Sequence, residues 1–252
     1  MAPTAKHLLP VAVLVVVIAV WQGLTALLSI PAYVVPSPLN IWHALLDNGP
    51  VVANNIVVTM IEAVLGFVLG SAAGFVLGLA LSRSRLVAMS LLPYVVGSNA
   101  VPVVAIAPLV VLWFGHGILS KVIVAAFLCF FPLAINTYRG LSETPEAFRD
   151  LFQLYGASRL QYLLKAQLPH ASALIFTGAK LNATYAVIGA IVAEFIGATA
   201  GLGFGMLNAT YNLDVPRLWA YLVVSVVLGM SFYCLVWAVE QFGFRKYRSV
   251  HK

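Results

Sequence analysis

The chain has 252 residues, of which 62% are hydrophobic and 9% are charged, and its formal net charge is +6. A soluble protein of this size needs more polar side chains to cover its surface, so the composition excludes a soluble domain. The basic residues stand at the ends of apolar runs rather than in a stripe, so the positive charge does not indicate nucleic-acid binding.

The apolar runs are about 20 residues long, which is the length of a helix that crosses the hydrocarbon core of a bilayer. They predict an all-α, polytopic membrane protein with six transmembrane helices in a single domain over residues 1–252. The first run is too long for a signal peptide, so we interpret it as a retained span. The predicted spans are 8–29, 56–81, 86–113, 119–138, 171–195 and 217–240.

The distribution of Lys and Arg along the chain predicts that both termini are cytoplasmic, since cytoplasmic loops carry an excess of these residues. In that orientation the outer segments hold only Lys121 and Arg217, and Lys180 lies inside a span. The loops 30–55 and 196–216 then face outward, and the segment 139–169 faces the cytoplasm. The inner segments hold Lys6, Arg83, Arg85, Arg139, Arg149, Arg159, Lys165, Arg245, Lys246, Arg248 and Lys252.

The second span carries glycines four residues apart, at Gly66, Gly70, Gly74 and Gly78. Residues with this spacing lie on one face of a helix. A face without side chains allows another helix to approach closely. We favour tight packing within one chain, and an interface between subunits is the alternative.

The third span contains Pro102 and Pro108, which each remove a backbone donor and interrupt the helix. Carbonyl groups that are freed inside a membrane need a neighbouring helix or a water-lined cavity. Asn99 stands beside this break, and we predict that it lines a solute pathway. A structural kink is the alternative.

Ionisable residues inside spans are costly and usually face a cavity or a partner. For Lys180 we favour an ion pair within the chain over contact with a substrate. In the fifth span, Asn182 and Tyr185 share a helical face with Gly189. We predict that Asn182 and Tyr185, together with Asn99 and Glu62, line the substrate pathway.

The sequence contains no nucleotide-binding GxxxxGK[ST] loop, and its histidines and carboxylates are scattered. We therefore predict that the chain is not an enzyme and binds no metal or cofactor of its own. An ion-coupled carrier that acts without an ATPase is the alternative function, although such carriers show internal repeats that this sequence lacks.

A charged segment, residues 145–168, separates two apolar runs. Pro145 is a typical helix start, Gly156 interrupts the helical pattern, and Ser158 can cap a second helix up to Gln167. The first helix would expose a face with Leu151, Phe152 and Tyr155. Such a face needs either a partner protein or the membrane surface to cover it.

This segment resembles the EAA loop of the permease subunits of binding-protein-dependent ABC importers. Asp150-Leu151-Phe152 stands where that family has Glu-Ala-Ala, Gly156 matches its glycine, and Leu168-Pro169 follows at the expected spacing. Leu and Phe replace two small alanines, which changes the expected packing of this helix on an ATPase. The resemblance implies ATPase coupling by Glu146, Asp150, Leu151, Phe152, Gly156, Ala157, Ser158 and Arg159.

Other motifs resemble one branch of these permeases, which serves nitrate, sulfonate, taurine and bicarbonate importers and includes permeases for pyrimidine vitamin precursors and riboflavin. The motifs are residues 35–38, 107–115, 131–137, 189–197 and 201–203. In this branch many members have Arg where this chain has Glu62. A carboxylate near the outer mouth would repel anions such as nitrate.

The resemblance also implies the remaining parts of an importer in a bacterial inner membrane. A periplasmic or surface-anchored binding protein delivers a small polar solute, and a dimer of ATP-binding subunits holds ATP and Mg²⁺. Two copies of the chain form the pore, with a pore of two different permeases as the alternative. We further expect Glu194, Gly201 and Gly203 to shape the outer gate of this pore.

Overall fold

The computed structural model describes residues 3–243, and every regular element in this range is helical. The helices in chain order are α1 (Pro3–Leu27), α2 (Pro38–Asp47), α3 (Gly49–Ser82), α4 (Arg85–Ser98), α5 (Val103–Phe114), α6 (Ile118–Ser142), α7 (Glu146–Leu154), α8 (Arg159–Tyr162), α9 (Leu168–Gly197), α10 (Leu202–Tyr211) and α11 (Val215–Gly243). A single π-helical turn, Leu163–Gln167, connects α8 to α9. The predicted inside charges Arg245, Lys246, Arg248 and Lys252 lie outside the described residues.

Five helical segments are long and apolar enough to cross a membrane: α1, α3, α6, α11, and the continuous run Arg159–Gly197, which consists of α8, the π-helical turn and α9. The third predicted span, 86–113, is a bent pair, α4 and α5, which meet at 91°. The break lies at residues 99–102, where Pro102 starts α5 and prevents α4 from continuing. The fold is therefore the predicted all-α bundle, with a sharp break in its third span.

The glycine face of α3 packs against α6 within the same chain. A side chain at Gly66 would collide with Ala125, and one at Gly70 would collide with the backbone of Ala126. Gly74 and Gly78 approach α6 one and two turns further along. The favoured prediction, close packing inside one chain, is confirmed at all four glycines.

Helix α9 packs against both α6 and α3, and α11 completes the core. Small residues dominate these contacts: Gly189 lies against Ala125, and Gly140 lies against Ala171. The main apolar cluster joins α3, α6, α9, α10 and α11, with Tyr221 and Leu202 fully buried in it. In a bilayer, where lipid offers no hydrophobic driving force between helices, small residues allow the contact area that holds such a bundle together.

Two short helices, α2 and α10, lie within the predicted outward-facing loops 30–55 and 196–216. Helix α2 begins with Ser37 as its N-cap and Pro38 in its first turn, a local signal that would have revealed it. Helix α10 folds back against α3, α9 and α11. It lacks the apolar run of a span, so hydropathy alone did not indicate it.

Candidate functional site

A buried polar network lies where α10 begins, and we call it the glutamate network. Its members are Asn55, Thr59 and Glu62 of α3, Glu194 of α9, Tyr221 of α11 and the backbone of residues 201–203. Three consecutive N–H groups at the start of α10 donate to side chains of other helices: Gly201 to Asn55 Oδ1 (3.0 Å), Leu202 to Thr59 Oγ1 (2.8 Å) and Gly203 to Glu194 Oε2 (2.5 Å). The first N–H groups of a helix have no partner within the helix, so these bonds replace the missing ones.

The side chains of the network also bind one another. The Thr59 hydroxyl donates to Glu194 Oε1 at 2.6 Å, and Asn55 Nδ2 donates to the Tyr221 hydroxyl at 3.1 Å. Glu194 is 1% exposed and stands at the positive end of the α10 dipole, where a carboxylate is stabilised. The network thus fixes α10 to three long helices.

Gly201 and Gly203 allow this arrangement. Gly201 has φ +112° and ψ 167°, a conformation that only glycine adopts readily, and a Cβ there would overlap the Glu194 carboxyl group. A Cβ on Gly203 would lie 2.8 Å from Glu194 Cβ. The structure therefore brings together the three residues proposed for the outer gate, while the gating role itself stays a prediction.

The placement of Glu62 corrects one sequence-based prediction. Glu62 is 4% exposed and lies beside Glu194, and its Oε2 atom has no hydrogen-bond partner among the described residues. Nearby, the buried Lys121 ammonium donates to the carbonyl oxygens of His116 and Gly197. Glu62 is therefore part of a packed interior, and it does not line an open pathway or present its charge to passing anions.

Asn182 requires a second correction. Its side chain is fully buried, and Asn182 Nδ2 donates to Ser71 Oγ at 2.8 Å and to the Cys129 carbonyl oxygen at 2.5 Å. These bonds connect α9 to α3 and α6, so the amide holds helices together instead of facing a cavity. The prediction assumed that Asn182, Tyr185 and Gly189 lie on one face of α9. In the structure Asn182 and Gly189 face α6, whereas Tyr185 is exposed.

The other two residues assigned to the pathway remain accessible in one chain. Tyr185 is 38% exposed on α9, and Asn99 is exposed at the end of α4, directly at the 91° break. Their pathway role stays a prediction. Lys180 forms an ion pair with Glu240 of α11, with Nζ and Oε2 2.8 Å apart, and this confirms the favoured assignment.

At the other end of the bundle lies the segment 145–168, which we call the coupling segment. Helix α7 starts after Pro145, and Gly156 follows it with φ +66°. Ser158 and Gln161 then form a capping box at the start of α8: the Gln161 N–H donates to Ser158 Oγ, and the Ser158 N–H donates to Gln161 Oε1. The predicted helix, glycine break and capped second helix are confirmed, with the second helix ending in a π-helical turn.

Helix α7 has one apolar face that no residue of the described chain covers. Its members are Phe148, Leu151, Leu154 and Tyr155, and the last two are 83% and 80% exposed. Phe152, which the sequence analysis placed on this face, instead points inward, and its ring packs edge-to-face with that of Tyr162 at 5.7 Å. The coupling segment thus keeps its shape by local contacts and leaves an apolar surface free.

The comparisons with known proteins all indicate the same family. Residues 66–242 match one protein family, which is described as "Binding-protein-dependent transport system inner membrane component". A probable ABC transporter permease protein of Haemophilus influenzae is 36% identical over 94% of this chain and 97% of its own length. The formylaminopyrimidine transport permease protein ThiX of Halalkalibacterium halodurans is 32% identical over 92% of both chains. The riboflavin transport system permease protein RibX of Chloroflexus aurantiacus is 32% identical over 90% of this chain and 86% of its own length.

Two solved structures share the fold. A chain of an amino acid ABC transporter crystallised with histidines superposes with a TM-score of 0.61 and 15% identity, covering 78% of this chain and 96% of its own. A chain of the MetNI methionine ABC transporter in an inward-facing conformation gives a TM-score of 0.57 and 20% identity, covering 80% of this chain and 94% of its own. At these identities the likeness is one of architecture.

Proposed function

The chain belongs to the family of binding-protein-dependent transport system inner membrane components, and we propose that two copies of it form the pore of one importer. It is a multi-pass inner-membrane permease and the translocation subunit of an ATP-driven importer. We further propose that ATP drives import through a separate subunit docked on α7. The observation that carries this proposal is the uncovered apolar face of α7, which is suited to a protein partner.

The partner at this face is the ATP-binding subunit, which holds ATP and Mg²⁺ and hydrolyses ATP. Leu151, Leu154 and Tyr155 are anchors of the kind that fill a groove when an amphipathic helix docks. Gly156 and the Ser158 cap fix the direction of α7 relative to α8, so a movement of the groove is transmitted to the bundle through α9. Asp150 and Arg159, both exposed, lie at the edge of this contact.

The orientation of the chain follows from its basic residues. The coupling segment carries Arg149, Arg159 and Lys165, and we place it in the cytoplasm with both termini. The glutamate network then lies toward the outer side, where a periplasmic or surface-anchored binding protein delivers the solute. In this arrangement Glu194, Gly201 and Gly203 fix α10 at the outer mouth of the pore.

The solute is a small polar molecule. ThiX and RibX are named for the transport of formylaminopyrimidine and riboflavin, so nitrogen heterocycles are the first class to test with the binding protein. The exposed Tyr185 is suited to stacking on a flat ring, and Asn99 can form hydrogen bonds with it. Both would face the space between the two copies.

Cysteine labelling tests this pathway. In a Cys234→Ser background, which removes the exposed native cysteine, Tyr185→Cys and Asn99→Cys should react with a water-soluble thiol reagent in the assembled, outward-open importer. Asn182→Cys is the matched control on the same helix as Tyr185, and it should not react because position 182 is buried. Unreactive cysteines at 185 and 99, alongside a reactive cysteine at the exposed Leu213, would place the pathway elsewhere.

The assembly is tested by measuring the mass of the intact, detergent-solubilised complex. We expect two copies of this chain and two ATP-binding subunits. One copy of this chain together with a different permease would contradict the homodimer. Solute uptake by the purified chain reconstituted into sealed vesicles without any ATP-binding subunit would contradict ATP-driven import and support the ion-coupled carrier.

A further inference from the structure

A cleft of about 600 Å³ lies between the inner face of α7 and the adjoining ends of α3, α4 and α6. Four arginines line it, Arg83, Arg85, Arg149 and Arg159, against one carboxylate, Glu146. None of the four arginines forms an ion pair with a residue in the described part of the chain. The side chains that line the cleft therefore carry four positive charges and one negative charge.

The cleft and the apolar face occupy opposite sides of α7. Glu146, Arg149 and Phe152 are spaced three residues apart, share one side of the helix and line the cleft. The uncovered side chains Leu151 and Leu154 belong to the other side. The ATP-binding subunit can thus occupy one side of α7 while the cleft stays open toward the bundle.

The depth of the cleft matches the phosphate level of a bilayer. Helix α3 has 34 residues, which corresponds to a length of about 51 Å, well beyond the roughly 30 Å of the hydrocarbon core. Its apolar run ends at Leu81 and Ser82, and Arg83 and Arg85 follow directly, all four lining the cleft. Because Lys and Arg next to the end of a span mark the headgroup level, the cleft lies where the hydrocarbon region ends. The cytoplasmic leaflet carries anionic lipids, and basic pockets between spanning helices on that side bind their headgroups.

We propose that this cleft binds the phosphate of an anionic lipid headgroup and thereby holds the inner side of α7 against the bundle. Guanidinium groups bind phosphate oxygens in pairs of parallel hydrogen bonds, and the Tyr138 hydroxyl in the same cleft adds a neutral donor. This proposal depends on the proposed function in one respect: it requires that the coupling segment lies in the cytoplasm.

The test uses the purified full-length chain in detergent with an equimolar mixture of phosphatidylglycerol and phosphatidylcholine of the same acyl chains. Native mass spectrometry counts each retained lipid. The wild-type chain should retain phosphatidylglycerol in preference, and the double variant Arg83→Gln/Arg85→Gln should reduce this preference by roughly tenfold or more, in line with the contribution of basic residues at an anionic surface. Arg139→Gln is the matched control, because Arg139 is exposed near the same end but outside the cleft.

Several results would overturn the proposal. Equal retention of phosphatidylglycerol by wild type and double variant would show that the arginines do not bind the headgroup. Displacement of the lipid by millimolar inorganic phosphate would assign the cleft to a free phosphate ion. Loss of co-purifying ATP-binding subunit with unchanged lipid retention would assign the arginines to the protein contact.

Two single variants replace the test if the double variant is unstable: Arg83→Gln, at the C-cap of α3, and Arg149→Gln, in α7. Each should give an intermediate loss of the phosphatidylglycerol preference. Lipid retention is measured without the ATP-binding subunit. A failure of the lipid proposal is therefore distinct from a failure of the proposed function, which is decided by whether that subunit co-purifies.

Discussion

The glutamate network and the coupling segment are both polar and both depend on a glycine with positive φ, yet they keep their shape by opposite means. In the network, side chains from α3 and α9 provide every partner for the start of α10, and Glu194 is almost fully buried. In the coupling segment, Gly156 and the Ser158 cap are local devices on an exposed loop. Changes in the network should therefore unfold the chain, and changes in the coupling segment should uncouple a folded one.

The largest loss of stability is expected for Gly201→Ala. The substitution forces alanine into a backbone conformation that glycine alone adopts readily and places Cβ against the Glu194 carboxyl group, at a cost of about 3 kcal/mol or more. Thermal melting of the purified chain in detergent measures this loss of stability. Gly23→Ala is the matched control, because a Cβ there meets nothing within 4 Å and should leave the melting temperature unchanged or slightly higher.

Glu194→Ala is expected to cost about 2–3 kcal/mol, because it leaves the Thr59 hydroxyl and the Gly203 N–H buried without an acceptor. Glu194→Gln keeps one acceptor oxygen and should lose about half as much. The melting temperatures of both variants, compared with that of the wild type, test this expectation. Equal stability of wild type and Glu194→Ala would show that α10 does not depend on this carboxylate.

Gly156→Val should stop uptake while the chain stays folded and inserted. A β-branched residue at φ +66° is strained by about 1–3 kcal/mol, and an exposed loop can relieve this strain by changing the angle between α7 and α8. Gly156→Asn is the matched control, since Asn tolerates the left-handed conformation. Uptake assays on membrane vesicles, with melting curves on the same preparations, separate uncoupling from unfolding. Normal uptake with Gly156→Val would contradict the role given to this turn.

The smallest effect is expected for Ser158→Ala, which removes the acceptor for the Gln161 N–H and should destabilise the start of α8 by about 1 kcal/mol. Global melting should hardly change, since the segment is exposed. Hydrogen exchange at residues 158–162 should accelerate, and uptake should fall by less than in Gly156→Val. Unchanged exchange would mean that α8 does not need its cap.

The contrast between the two regions also separates what the sequence could predict from what it could not. Pro145, Gly156 and Ser158 act within a few residues of their own positions, so the helix, its glycine break and the second cap were predictable. The inward position of Phe152 was not, because it depends on the Tyr162 ring ten residues away. The glutamate network depends on contacts such as Asn55 with Gly201, which are 146 residues apart and leave no local pattern.

The same limit explains the two corrections inside the membrane spans, Asn182 and Glu62. Polarity and depth placed Asn182 and Glu62 in the pathway, because a polar side chain in a span can equally bind a neighbouring helix or face water. Only the packing of α9 against α6 and α3 distinguishes these cases. Lys180 and the glycine face of α3 were assigned correctly because interactions within one chain were favoured for both.

The central claim is that the uncovered face of α7 binds the ATP-binding subunit. It is tested by affinity purification of tagged Leu154→Asp from membranes of cells that make the whole importer, with measurement of ATP hydrolysis in the purified complex. Leu213→Asp is the matched control, since Leu213 is 80% exposed at the opposite end of the bundle and Leu154 is 83% exposed. We predict that Leu154→Asp inserts normally but keeps less than about a tenth of the ATPase activity that Leu213→Asp retains, because a charge is buried in an apolar contact. Equal ATPase activity with both variants would contradict the claim.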